Sequence, residues 1–378
     1  MPQELTSAEP SGEPAGGAQP DLQYSASPET PPSPGWRWPL LWALLVLVAG
    51  VVLGTVVFAA EQYYFVWEPD VTSLPGDGRR VAGSAGQRPT APVLVGDRLA
   101  WSQGGYTCLM ELPSGDTKVI GAASGGTDLW PPALDAHSVT WLESDKNGVD
   151  PADLWVYDIG RGRRVVYQIG VGAAGPVVAG DLIAWPDVSG SGVQMIAALD
   201  LATERRSVIA TGDEISAPVI AGEDSVGWLV QPGAGRAPSF VVRDLRTMTD
   251  TTVPLAANGS GLTVTDIHMG GRTLLWALQS STGTRVMAFD LDTHATNVVA
   301  QGAVVQSPAT DGTVVIWAAR DGSSDACVVM MRSLKGGQAS IAARPQIWPS
   351  SLAVSGGRLA WVINDGTWTY LDVVKLPS

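Results

Sequence analysis

The chain has 378 residues, with 37 acidic against 23 basic side chains and a formal net charge of −14. That balance excludes a general nucleic-acid binder, which needs clustered cations to neutralise phosphates. Two cysteines exclude a disulfide scaffold or a Cys-rich zinc site, and three histidines leave little for an imidazole-based metal centre. With 16% charged and 45% hydrophobic residues, most of the chain can bury a core. The 44 glycines and 27 prolines imply many turns, and the 15 tryptophans need an explanation.

Residues 1–37 hold eight prolines, five acids and a single base, Arg37. Such a stretch cannot bury enough apolar surface to offset its ordering entropy, so it reads as a disordered, Pro-rich tail. Its Pro31-Pro32-Ser33-Pro34 piece is a solvated spacer or a polyproline ligand.

Residues 38–60 follow without a charge, 23 in a row, enough to cross a bilayer core of about 30 Å as a helix. Trp36, Trp38 and Trp42 mark one end, and Tyr63, Tyr64 and Trp67 the other, as interfacial aromatic belts do. A cleaved signal peptide is the competing reading, but the apolar run exceeds the 7–15 residues or so of a signal core. Arg37 on the N-terminal side sets the orientation. The expectation is a single-pass plasma-membrane protein with a cytoplasmic N-terminus. Residues 61–76 would be a linker, and 77–378 a domain outside the cell or in the periplasm.

A repeat organises that domain. Seven fragments align: GDRLAW (96–101), DAHSVTW (135–141), GDLIAW (180–185), GEDSVGW (222–228), GGRTLLW (270–276), DGTVVIW (311–317) and GGRLAW (356–361). Their tryptophans, Trp101, Trp141, Trp185, Trp228, Trp276, Trp317 and Trp361, are 40, 44, 43, 48, 41 and 44 residues apart. A period near 40–45 with a recurring Trp matches one four-stranded β-propeller blade. An apolar run, often opened by Pro, precedes each fragment as strand a: PVLV (92–95), PVVA (176–179), PVIA (218–221). Strand b carries the Trp. Strand c ends in VYDIGRG (156–162), ALDLATE (198–204), VRDLRTM (242–248) or AFDLDTH (288–294), where Asp starts a turn. Strand d follows. The predicted fold is therefore all-β, a seven-bladed propeller after one transmembrane helix. The seven Trp are expected to fill the space between blades rather than stack on a cofactor. GRRVAG (78–83) is similar to the strand-d segment GRRVVY (162–167), while the last repeat lacks a strand d. Residues 78–84 are thus expected to close the ring as the outer strand of blade seven.

GPVVAGDLIAWPD (175–187) and ADLWVYDIGRGRRVVYQI (152–169) resemble the TolB-like and bacterial or archaeal surface β-propeller repeats, and the likeness covers nearly all of 77–376. The resemblance implies binding, docking or scaffolding outside the membrane more often than catalysis. Repeat five (TDIHMGG, 265–271) lacks the Pro, and repeat six has MMRSLKGGQ (330–338) where Asp is expected.

Few residues point to chemistry. There is no G-x-S-x-G nucleophile elbow. Asn364-Asp365-Gly366-Thr367-Trp368 is close to a sialidase Asp-box but occurs once, and reads as a b–c turn. His137, His268 and His294 fall on different blades. The loop from Asp145 through Asn147 and Asp150 to Asp153 carries part of a calcium pattern without its bidentate Glu, so the metal stays open, with a solvated hairpin as the alternative. Cys108 and Cys327, on strands c of blades one and six, are expected as free buried thiols. No cofactor is implied.

The leading functional reading is a membrane-anchored, extracytoplasmic, non-catalytic recognition or scaffold module for a cell-envelope protein or glycan. Its rivals are a propeller lyase or glycosidase, and a sensor signalling through the tail. The b–c and d–a loops of a blade share one side of the disc. Trp130 and Trp348, placed in d–a loops, and Tyr106, at a b–c turn, are expected on that face beside Asp145, Asp150, Asp153 and Asp365. Exposed aromatics among polar neighbours are the usual anchors of binding surfaces.

Overall fold

The structure, a computed structural model, describes residues 69–377 apart from 76, 85–87, 146–150, 171–174, 190, 232, 234–235, 257–260, 323 and 325. Residues 66–378 form one compact unit. The expected tail (1–37) and membrane span (38–60) lie outside the described residues. Among the described residues no helix is long and apolar enough to cross a membrane.

The strands form seven antiparallel sheets. Blade one is Pro89–Val95, Arg98–Gln103, Tyr106–Glu111 and Asp116–Ala122, strands a to d in order. Blade three spans Val177–Ala179 to Arg205–Thr211, blade four Ile215–Ala221 to Thr249–Pro254, blade five Thr263–Gly270 to Thr296–Gly302, and blade six Val305–Thr310 to Ser340–Ala343. In blade two, strand a is broken into Thr127–Leu129 and Ala133–Leu134, ahead of Ser138–Asp145, Asp153–Asp158 and Arg163–Gln168.

Blade seven closes the ring with both ends of the propeller. Pro349–Ser355, Arg358–Asn364 and Trp368–Lys375 are its strands a to c, and Gly78–Ser84 pairs with the last as strand d. The expected closure by 78–84 is what the ladder shows. One strand went unforeseen: Asp70–Leu74 pairs outside Gly78–Ser84 and makes this blade five-stranded. The stretch 61–76, expected as linker throughout, therefore includes part of the propeller. Its sequence, DVTSL, is short and mostly exposed, with little apolar pattern to mark it.

The seven repeat tryptophans are all buried, from 0% exposed at Trp101 to 6% at Trp361. Each packs towards the preceding blade. Trp141 joins Ala100, Leu109 and Ile120 of blade one, and Trp185 joins Leu142 and Leu154 of blade two. A flat side chain on strand b thus cements one sheet to the next, which explains the Trp count.

Pro176 stands directly before strand a of blade three, as expected, but in blades one, four and six the proline does not open the strand. Thr90 and Val93 flank a bulge holding Ala91 and Pro92, and the same irregularity surrounds Pro218 and Pro308. Proline has no N–H for the ladder, so a bulge is where an inner strand tolerates it. Strand a begins three residues earlier than Pro in each case.

At the c–d turns the recurring Asp accepts backbone N–H bonds as expected: Asp158 from Arg161 (2.8 Å), Asp200 from Thr203 (2.8 Å), and Asp290 from Asp292 and Thr293 (2.9 Å each). Four residues after each Asp the chain turns through positive φ. Only blade two among these puts glycine there (Gly162, 62°); Glu204, Met248 and His294 adopt 56–58°.

Candidate functional site

The b–c/d–a face is shaped by the break in blade two. Pro131 and Pro132 end the first half of strand a, since neither can donate to the ladder. Trp130, just before them, bonds through its backbone N–H to Leu142 O (2.9 Å) and through Nε1–H to Ser144 Oγ (3.0 Å). Its indole is thus fixed yet 38% exposed, unlike the seven repeat tryptophans. Trp130 was expected in a d–a loop; it lies in the interrupted inner strand instead.

The other expected residues sit on separate blades. Trp348 does occupy the d–a connection into blade seven, half-buried against the Leu352, Trp361 and Ile363 cluster. Tyr106 opens strand c of blade one, half-buried against the core between blades seven and one. Asp145 and Asp153 end strand b and start strand c of blade two, both half-buried, while Asp150 lies outside the described residues. Asp365 accepts from the backbone N–H groups of Thr367 (2.8 Å) and Trp368 (2.6 Å). These bonds, chiefly the one from Trp368, hold its carboxyl below the ordinary range. It is a turn former, as the b–c reading of that motif requires. Trp368 beside it is 44% exposed and was passed over.

Sequence reasoning also missed three buried polar residues two positions after the strand-b Trp. Gln103 accepts from Trp101 Nε1 (2.9 Å) and donates to Ala82 O (3.0 Å). Glu143 accepts from Ser124 N (2.6 Å), Thr127 Oγ1 (2.7 Å) and Trp155 Nε1 (3.0 Å). Burial pushes the Glu143 carboxyl up, but these donors outweigh it and leave it below its ordinary value. Asp187 accepts from Trp185 Nε1 (3.4 Å) and Val188 N (2.7 Å). In blades four to seven the same position is Val230, Leu278, Ala319 and Ile363. Gln103 and Glu143 each tie the incoming chain from the preceding blade onto strand b. Comparing repeats at a fixed offset from Trp is the signal that finds them.

A slot of about 380 Å³ opens on this face between blades one and two, lined by Arg88, Thr90, Ser102, Gln103, the Gly104-Gly105 turn, Ala123 and Thr127–Leu129. The opposite face holds a larger cleft of about 850 Å³ between blades two and three, lined by Ser138, Arg161, Arg163, Tyr167, Asp181 and Glu204 among others. Three residues before Trp, Arg98 reaches Ala136 O of the next blade (2.6 Å) and Arg358 reaches Asp97 (2.7 Å). Blade two has Ser138 there, which turns back to Asp135 instead (3.2 Å) and leaves the groove beside Asp181 unfilled. Arginine holds this position in blades one and seven alone; blades two to six have Ser138, Leu182, Ser225, Thr273 and Val314.

Cys108 and Cys327 are free and buried, and burial pushes their thiols to about 12 and about 11, unsuited to nucleophilic work at neutral pH. His137 lies at an a–b turn, His268 on an inner strand and His294 at a c–d turn. Among the described residues no group of three His, Cys, Asp or Glu is placed to hold a metal ion. Asn147 and Asp150 of the calcium pattern are not among them.

No family model matches the chain, and no curated protein matches it in sequence. In structure it is similar to an oligogalacturonate lyase from Vibrio parahaemolyticus, at 10% identity over 82% of this chain and 99% of that one, with a TM-score of 0.58. It is also similar to the β-propeller domain of the Trilobed protease from Pyrococcus furiosus, at 11% identity over 65% and 82%, with a TM-score of 0.50. TolB from Acinetobacter baumannii matches at 12% identity over 79% and 81%, with a TM-score of 0.43, too loose a superposition to bear on function. At these identities the likeness establishes the fold alone. The TolB-like repeat pattern is met as a propeller, and no family match extends it to a surface-repeat family.

Proposed function

We propose that the chain is a single-pass membrane protein carrying a propeller outside the cytoplasm, where its b–c/d–a face recognises a cell-envelope protein or glycan without turning it over. The observation that carries this is Trp130. An exposed indole, pinned by two hydrogen bonds on a rigid ring, has little entropy left to lose on binding. The uncharged run at 38–60 and its aromatic flanks support the tether.

Full-length protein, immobilised in detergent, should capture envelope material, and Trp130→Ala should abolish capture with its melting temperature unchanged. Arg246→Ala, on the opposite face, should bind as the parent does; Arg161 is unsuitable as a control because it lines the larger cleft. Capture that survives Trp130→Ala refutes the reading. For the tether, Ser324→Cys and not Ser7→Cys should react with an impermeant maleimide on intact cells.

The enzyme reading draws on Glu143 and Asp153, two carboxylates directly opposite in the blade-two ladder. Glu143 is already committed as an acceptor and held ionised, which unfits it as a general acid. Turnover of a glycan library by the purified chain would favour this reading. A sensor acting through the 1–37 tail would instead show ligand-dependent capture of a cytoplasmic protein.

A further inference from the structure

The chain enters the propeller at one end of blade seven, and the inference from this rests on the tethered reading above. Leu74 pairs with Gly78 at the c–d end of that blade, and the outermost strand begins at the other end with Asp70, opposite Ala82. Two residues beyond Ala82, Ser84 pairs with Trp368, which leaves the b–c turn. Asp70 therefore lies towards the b–c/d–a side. Ala60, the last residue of the uncharged run, precedes Asp70 by ten residues. Ten residues reach at most about 36 Å when fully extended. A membrane spanned by 38–60 thus has the b–c end of blade seven within that reach.

The same end presents tryptophan. Trp368 is 44% exposed, and Trp348, in the d–a connection into this blade, is half-buried. An indole joins an apolar ring to a single N–H donor, which suits the headgroup level of a bilayer, dry on one side and wet on the other. Tyr63, Tyr64 and Trp67 carry the same chemistry along the connecting sequence. The charges at this end are mostly acidic. Asp70 and Asp365 are exposed, Arg344 ahead of Trp348 is paired with Asp321, and no Lys or Arg occurs between Arg358 and Lys375. Anionic headgroups attract basic segments and repel acidic ones, so the surface that fits is a neutral, zwitterionic one.

We propose that the b–c end of blade seven docks on the surface of the tethering bilayer, with Trp368 seated among neutral lipid headgroups. Trp130, two blades further round, then meets partners held at that surface.

The test uses full-length protein in phosphatidylcholine vesicles that carry a headgroup spin label as quencher. Thr367→Cys, beside Trp368, and Thr293→Cys, at the c–d turn of blade five, are labelled from outside with an impermeant maleimide dye. Cys108 and Cys327 are buried and stay unlabelled. The dye at 367 should be quenched and the dye at 293 should not. Trp368→Ala should at least halve the quenching at 367 without lowering the melting temperature, and Trp368→Tyr should retain it. Adding phosphatidylglycerol should weaken the quenching, and salt should restore it. Equal quenching at both sites, quenching at 367 that survives Trp368→Ala, or stronger docking on phosphatidylglycerol overturns the proposal. Quenching unchanged by Trp368→Ala together with lost envelope capture would assign Trp368 to a protein or glycan instead. Protein that carbonate washes off the vesicles refutes the tether and the docking with it. Protein that is retained with 367 unquenched refutes the docking alone.

Discussion

Arg80 and Asp372 lie 292 residues apart and are joined by two hydrogen bonds, Nε–H to Oδ1 at 2.6 Å and Nη2–H to Oδ2 at 2.7 Å. Asp372 stands opposite Trp361 in the ladder, and Arg80 opposite Asp372. The equivalent rows elsewhere carry no charge: Trp101–Cys108–Val119 and Trp317–Met330–Ile341 are apolar, and Trp228–Val241–Thr252 ends in a hydroxyl. Blade seven alone replaces the row with an ion pair, lays Arg80 over the Tyr370 ring (4.9 Å) and covers it with Thr72. Arg80→Ala leaves a nearly buried carboxylate unpaired and should cost about 2–3 kcal/mol. Arg243→Ala breaks a pair of the same geometry with Asp250, whose side chain is 39% exposed, and should cost roughly 1 kcal/mol or less through that pair. Urea midpoints compare the two, and equal losses would mean that the blade-seven pair has no special weight in closing the ring.

Ser138→Arg should add to blade two the bridge that Arg358 makes in blade seven. An arginine there can reach Asp181 across the larger cleft, as Arg358 reaches Asp97. The expected gain is about 0.5–1 kcal/mol, since such a pair stays partly in solvent. It should fade in high salt. Thermal melts at low and high ionic strength check both statements.

Gly121→Ala tests the packing of a repeat tryptophan. A Cβ at 121 would stand 2.4 Å from Cζ2 and 2.7 Å from Cε2 of Trp141. Trp141 is 1% exposed and stacked against Trp155, with ring centroids 6.2 Å apart. The variant should lose roughly 1–3 kcal/mol by overpacking. An unchanged urea midpoint would mean that the blade-one/blade-two seam is looser than its geometry.

Glu143 contributes a pH-dependent share of stability. Its folded carboxyl is held below its unfolded value, so its contribution is present above the ordinary Glu range near 4.3 and is lost as pH falls through the folded value. Glu143→Gln should therefore destabilise at pH 7, and the gap to the parent should narrow under acid. A gap that stays constant or widens on acidification would contradict the ionised assignment. Paired denaturation curves across that range supply the reading.

The ring was legible because a residue too large to hide recurs at Trp101, Trp141, Trp185 and onward, and because Gly78–Ser84 repeats the outer-strand wording of 162–167. Strand a was misread at its start. Pro92, Pro218 and Pro308 look like strand openers when ladder partners are unknown, whereas the pairing places them inside bulges. Trp130 was found but misplaced for a related reason: its two following prolines read as a loop, and only pairing with Leu142 and Ser144 shows a broken strand. Gln103, Glu143 and Asp187 were invisible because a polar residue inside a strand reads as solvent-facing until the neighbouring blade is in place. The slot is a property of two blades together, so no single repeat encodes it.

Building blade seven from both ends has a consequence for how the chain is made. Gly78–Ser84 is among the first propeller segments to leave the ribosome, and its partner Trp368–Lys375 is the last. At synthesis rates of about 5–20 residues per second, the 292 residues between Arg80 and Asp372 take roughly 15–60 s to appear. Throughout that interval one edge of the clasp strand faces solvent without its permanent neighbour, and six blades stand in an unclosed arc. Asp70–Leu74 can pair with the other edge at once, because only a short turn separates the two strands. The nascent protein thus starts with a ready-made hairpin that holds half of its closing seam in order until the final strand arrives.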